Sequence, residues 1–66
     1  MKSYSSKEVI EILERNGWRY KNSRGDHYQF IHDKVKCKIT VTHPVKDIKI
    51  NNLKSISKIT GIKFLL

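Results

Sequence analysis

The apolar period of this chain changes at Asn16-Gly17-Trp18 from helical spacing to strict alternation, and that switch restricts the folds open to it. Upstream, Val9, Ile12 and Leu13 form one stripe at helical spacing, with Ile10 at its flank. Ser5-Ser6-Lys7-Glu8 has the capping-box spacing: the Ser5 hydroxyl is placed to accept from the Glu8 amide while the Glu8 carboxylate reaches back. Gly17 suits the left-handed position that follows a helix end, and Trp18 is placed to fold back onto Leu13. A first helix therefore ends at Asn16-Gly17.

Three strands come next. Trp18 and Tyr20 alternate with Arg19 and Lys21, and Asn22–Asp26 reads as a turn. Tyr28 and Phe30 then alternate with His27 and Gln29, and Asp33-Lys34 makes the next turn. Val35, Cys37, Ile39 and Val41 alternate with Lys36, Lys38, Thr40 and Thr42, the cleanest alternation in the sequence. Ile31 and His32 fit the pattern badly, so the second strand is expected to bulge or end there. Pro44 cannot donate to a ladder and closes the sheet. After a basic crossover from Val45 to Ile50, Asn51 or Asn52 is expected to cap a second helix. Its apolar positions are Leu53, Ile56 and Ile59, and Gly61 ends it with Ile62 packing back. Lys63–Leu66 is too short to assign.

The order is α-β-β-β-α, an α+β fold in one domain spanning residues 1–66. Short polar loops make the sheet an antiparallel meander, and the two helices, each with one apolar stripe, must cover one of its faces. Strand parity puts Trp18, Tyr20, Tyr28, Phe30 and the Val35–Val41 series, Cys37 included, under the helices. The other face carries Arg19, Lys21, His27, Gln29, Lys36, Lys38 and Thr40. Slipping the register by one residue would bury the lysines.

A chain of 66 residues buries only about 60% of the surface its unfolded form exposes. Cys37 is the one cysteine, so no intrachain disulfide staples the fold, and it is expected to act as a small buried hydrophobe in a reducing cytosol. Met1-Lys2-Ser3-Tyr4 lacks the apolar stretch of a signal peptide. The longest apolar run, Phe64-Leu65-Leu66, is far too short to span a bilayer, so a cytoplasmic protein without membrane association is expected. Fourteen Lys and Arg against six Asp and Glu give a formal net charge of +8, which favours a nucleic acid or an acidic protein as partner.

Against that charge, Gly25-Asp26-His27 is the segment that carries chemistry. Histidine exchanges a proton near neutral pH, and RNA brings its own nucleophile, the 2′-hydroxyl. One placed imidazole and a few cations therefore suffice for cleavage. His27 is the candidate catalytic residue, with Lys21, Arg24, Lys36 and Lys38 as candidate RNA-binding cations. The bland alternative is an ordinary solvated sheet face. His27, His32, His43 and Cys37 show no zinc-ligand spacing, and Asp33 and Asp47 are isolated, so no metal or other cofactor is expected. His43, before Pro44 at the end of the third strand, is expected to be a loop residue bonded to nearby backbone, the alternative being a residue that assists at the active site. Asp26 is expected to form the turn and point away from His27, as consecutive strand residues do, the alternative being a relaxed turn that brings its carboxylate to the imidazole.

These segments, taken in order, resemble the HicA-type toxins of bacterial toxin–antitoxin systems. The resemblance rests on Asn16-Gly17-Trp18 closing a helix, Gly25-Asp26-His27-Tyr28 opening a strand and Thr42-His43-Pro44 ending one. Lys46-Asp47-Ile48-Lys49 through Leu53-Lys54-Ser55-Ile56 to Gly61-Ile62 matches the closing helix. It covers nearly the whole chain and implies a double-stranded-RNA-binding-domain-like fold and an mRNA interferase. It also implies His27 as the catalytic histidine and a HicB-type antitoxin as protein partner. Asp26 departs from the family pattern, which has serine there. The competing expectation is a double-stranded-RNA-binding module of the same topology that does not cut.

Overall fold

The structure, a computed structural model, describes residues 3–64; Met1, Lys2, Leu65 and Leu66 lie outside the described residues, and with them the end of the unassigned tail. The element order is α1 (Ser6–Arg15), β1 (Arg19–Arg24), β2 (His27–His32), β3 (Val35–Thr42) and α2 (Ile50–Thr60), the α-β-β-β-α order expected. The three strands form one antiparallel sheet in the order β1-β2-β3.

Local chemistry sets α1 at both ends. Ser5 is the N-cap, its hydroxyl accepting from the Glu8 amide while Glu8 accepts from the Ser5 amide. At the other end the Trp18 amide donates to the Leu13 carbonyl and the Gly17 amide to the Glu14 carbonyl, the paired bonds of a Schellman motif. Trp18 is thereby turned into the core with Val9 and Leu13, where Phe30, Ile39, Val41, Leu53 and Ile56 join it.

Four expectations need correction. The Asn22–Asp26 turn shrinks to Gly25-Asp26, because β1 runs on to Arg24. Tyr20 lies opposite Phe30, on the helix side as parity requires, yet is 51% exposed. Both helices make their closest backbone approach to the sheet at β3, which leaves β1 projecting beyond their cover. Cys37 is exposed rather than buried. Phe30 pairs with Ile39 but His32 with Val35, so Ile31 alone faces Lys36, Cys37 and Lys38, and Cys37 sits in that bulge. The irregularity expected at Ile31 and His32 is real, but the extra residues are on β3. Finally, neither Asn51 nor Asn52 caps α2. The helix starts after Lys49, which makes no side-chain cap bond. The Ile48 amide donates to the Tyr4 carbonyl, so tertiary anchoring places this start in lieu of a cap.

Leu53 and Ile56 are buried as expected, whereas Ile59 stays at the rim of α2 and Gly61 ends the helix with φ +76°. Tyr4 and Phe64, which no periodicity marks, complete the core as an edge-to-face ring pair at 5.2 Å. Among the described residues, no helix is long and apolar enough to cross a membrane.

Candidate active site

Arg24 and His27 face each other across a two-residue loop, Gly25-Asp26. Glycine with positive φ (+56°) at the first loop position is the pattern of a type II′ hairpin turn, whose twist matches that of the strands. A Cβ on Gly25 would meet open space, so conformation and not crowding asks for glycine. The tight loop leaves His27 at the very start of β2, paired with Arg24 on one side and Thr42 on the other. The next row on the same face is Asn22, Gln29 and Thr40. Both rows lie on the face away from the helices, and the His27 side chain is 59% exposed there.

Asp26 does not point away. Its Oδ1 lies 3.5 Å from His27 Nε2, a charge contact whenever the imidazole is protonated. Alternation governs residues within a strand, and Asp26 belongs to the loop, where its side chain is free to lean across. His27 Nδ1 is left without a bonding partner among the described residues.

His43 also differs from expectation, since its ring is bonded to a distant side chain and not to nearby backbone. Nδ1 lies 2.6 Å from Ser6 Oγ, a hydrogen bond whose direction follows the ring tautomer. The His43 amide donates to the Asp26 carbonyl at 2.8 Å, and the ring packs edge-on against Tyr28 with centroids 5.1 Å apart. His43 thus sits behind the hairpin end that presents His27.

The candidate cations divide by register. Arg24 is in the row of His27, and Lys21 occupies a bulge between Tyr20 and Asn22, so it drops out of the ladder that parity alone would give it. Lys36 and Lys38 stand six and four residues back along β3 from Thr42, roughly 20 and 13 Å away at ~3.3 Å per residue. The structure therefore sets Arg24 beside His27, Lys21 three residues back along β1, and Lys36 and Lys38 farther away on β3. Arg19 is engaged at the far end in an ion pair with Asp33, while Arg24, Lys21, Lys36 and Lys38 make no ion pair among the described residues.

Charge is also segregated along the chain. Residues 1–18 hold three Lys and Arg against three Glu, whereas residues 19–66 hold eleven against three Asp. The whole net charge of +8 thus comes from the sheet, the crossover and the C-terminal segment. Three of the cancelling carboxylates, Glu8, Glu11 and Glu14, ride on α1. A polyanion meets a positive sheet and a first helix whose acidic residues outnumber its basic ones.

Among the described residues, no three His, Cys, Asp or Glu side chains gather as a metal site. Thr42 borders a cleft of about 280 Å³ between the end of β3, residues 45–49 and α2, where Asp47, Lys49 and Asn52 supply polar groups beside Val45 and Ile48.

Among known protein families, the profile described as HicA toxin of bacterial toxin-antitoxin matches residues 6–62. A solved structure titled "HicA3 and HicB3 toxin-antitoxin complex" contains a chain that superposes with a TM-score of 0.76 at 35% sequence identity, covering 94% of this chain and 100% of that one. No curated protein sequence gives a significant match. Profile and fold agree over all five elements, and the chain belongs to the HicA toxin family of bacterial toxin–antitoxin systems.

Proposed function

We propose that this chain is a metal-independent endoribonuclease that cleaves mRNA in the cytoplasm, with His27 as its catalytic residue. The observation that carries this reading is an exposed imidazole at the closed end of a hairpin, with the Arg24 guanidinium-bearing strand directly across from it on the face no helix covers. In the reaction, an imidazole nitrogen takes the proton of an RNA 2′-hydroxyl. The 2′-oxygen then attacks the adjacent phosphorus, the bond from phosphorus to the 5′-oxygen breaks, and a 2′,3′-cyclic phosphate and a 5′-hydroxyl result. The proton taken first returns to the 5′-oxygen from the imidazolium or through water. Asp26 beside Nε2 leaves Nδ1 as the nitrogen open to the 2′-hydroxyl. Arg24, with Lys21 behind it, stabilises charge on the phosphate, while Lys36 and Lys38 hold the backbone farther along the strand.

The protein partner is a HicB-type antitoxin. The related chain is seen in a complex with HicB3, and the positive sheet suits an acidic protein that competes with RNA for the same charges.

Cleavage of RNA is expected to proceed unchanged in excess EDTA, as read by gel analysis of a defined transcript. Activity lost on chelation and restored by magnesium or zinc would overturn the metal-free step. Tight binding with no cutting under either condition would make the chain a binding module instead.

RNA binding should also weaken steeply with salt, by about 0.7 in the slope of log affinity against log salt for each phosphate contacted on a single strand. Arg24→Gln is expected to shallow the slope by about one contact and to slow cleavage. Lys36→Gln with Lys38→Gln should shallow the slope by up to two contacts and leave the rate at saturating RNA nearly intact. An unchanged slope in the double variant would move RNA off the β3 end of the sheet.

A further inference from the structure

We propose that His43, anchored on Ser6, is the positioning residue of the His27 hairpin; the inference rests on the reading of His27 as the catalytic residue. His27 needs such support. It begins a strand, its ring is mostly exposed, and its one ion-pair contact is with a loop carboxylate 3.5 Å away. Nothing about the ring itself fixes where it stands. Its place is set by the backbone, and hairpin ends are where backbone opens most easily.

His43 holds the two residues that flank His27. Its amide donates to the Asp26 carbonyl at 2.8 Å, which extends the β2–β3 ladder one step past Thr42 and into the loop. Its ring stands edge-on to Tyr28, 5.1 Å between centroids and 82° between planes. Asp26 is thus fixed by the main chain of His43 and Tyr28 by its side chain.

His43 is in turn fixed to the helix layer. Ser6, 1% exposed, is the first residue of α1. Its hydroxyl meets His43 Nδ1 at 2.6 Å and accepts from the Val45 amide at 2.9 Å, while its own amide donates to the Val45 carbonyl at 2.8 Å. One buried serine therefore grips the chain on both sides of Pro44. An N–H at the start of a helix has no partner within the helix, and here that spare donor is spent on the segment that carries His43. The path from α1 to the candidate site runs Ser6, His43, then Asp26 and Tyr28, with His27 between the last two.

Three variants test this: His43→Ala, His43→Asn and Ser6→Ala. Asparagine places a polar atom near the position of Nδ1 and so retains a partner for the Ser6 hydroxyl; alanine does not. A displacement of about 1 Å at a reacting group costs on the order of 10²-fold, so His43→Ala is expected to lower kcat by roughly 10- to 100-fold with KM within about twofold. His43→Asn, which restores the Ser6 bond but not the ring contact with Tyr28, should recover part of that loss. Ser6→Ala should show the same kcat-weighted defect in weaker form. In His43→Ala, amide exchange at residue 43 should accelerate and the His27 imidazole resonances should shift, both returning towards wild type in His43→Asn. Unchanged kcat in His43→Ala would overturn the proposal. So would losses that are equal in the alanine and asparagine variants and track their melting temperatures. The NMR readouts need no turnover. If the wild-type protein cuts no RNA, the proposed function falls, and unshifted His27 resonances in His43→Ala would still, separately, refute the positioning role.

Discussion

Replacing His27 with alanine is expected to remove RNA cleavage and leave the protein folded. A positioned acid–base group contributes about 10²–10⁴-fold, and no other imidazole reaches this face: His32 is tied to the end of α1 and His43 lies behind the hairpin. His27 itself supports no core contact, its side chain being 59% exposed with a neighbouring loop carboxylate as its charged contact. Surface substitutions of this kind usually change stability by less than about 0.5 kcal/mol. The measurement is cleavage of a defined transcript alongside thermal unfolding by circular dichroism. A variant that unfolds would make His27 structural; one that still cuts at the wild-type rate would place the chemistry elsewhere.

The largest stability effect is expected at Gly17→Ala. Gly17 has φ +88°, and a Cβ added there would stand 2.9 Å from His32 Nε2. The left-handed conformation alone costs an L-residue roughly 1–2 kcal/mol. The crowding cannot be relieved cheaply, because the His32 ring is held on both nitrogens. Nδ1 accepts from the Lys34 amide at 3.0 Å, which leaves the proton on Nε2 to be donated to the Asn16 carbonyl at 3.1 Å. The same ring packs on Trp18 with centroids 5.2 Å apart. Losing those bonds adds about 1 kcal/mol each, for a total of about 3–4 kcal/mol. A chain of this length holds only about 3–10 kcal/mol of stability, so the melting temperature should drop by more than ~10 °C. His32→Ala combined with Gly17→Ala should give back part of that loss. If Gly17→Ala alone melts within a few degrees of wild type, the close approach of helix end and hairpin is not a constraint.

How far the sequence can be read depends on how far apart the interacting residues are. The capping box spans Ser5 to Glu8 and the Schellman bonds span Leu13 to Trp18, so both are legible from spacing, and the structure has both. Strand parity places Phe30, Ile39 and Val41 inside and His27 outside for the same reason. Tyr20 and Cys37 obey or break parity according to where the helices stop and where β3 bulges, and neither is written within a few residues of them. At the candidate site, the Arg24–His27 row comes from a loop two residues long, where composition alone suggests a five-residue turn. Asp26 reaches His27 because it lies outside the strand. The Ser6–His43 bond joins residues 37 positions apart, and no local pattern announces it. The Thr42-His43-Pro44 turn marks the place without naming the partner.

The two bulges have a consequence for the protein when it stands alone. A three-stranded sheet has two free edges, and each offers unpaired N–H and C=O groups on which a strand of another molecule could grow. Here both edge strands carry a bulge, β1 at Lys21 and β3 across Lys36, Cys37 and Lys38. Each bulge breaks the regular spacing of the free edge and plants lysine at the break. An incoming copy of the chain would meet a discontinuous template and a like charge at the same point, on either side of the sheet. Features that look like flaws in the ladder thus protect a small sheet with two open borders from sticking to itself.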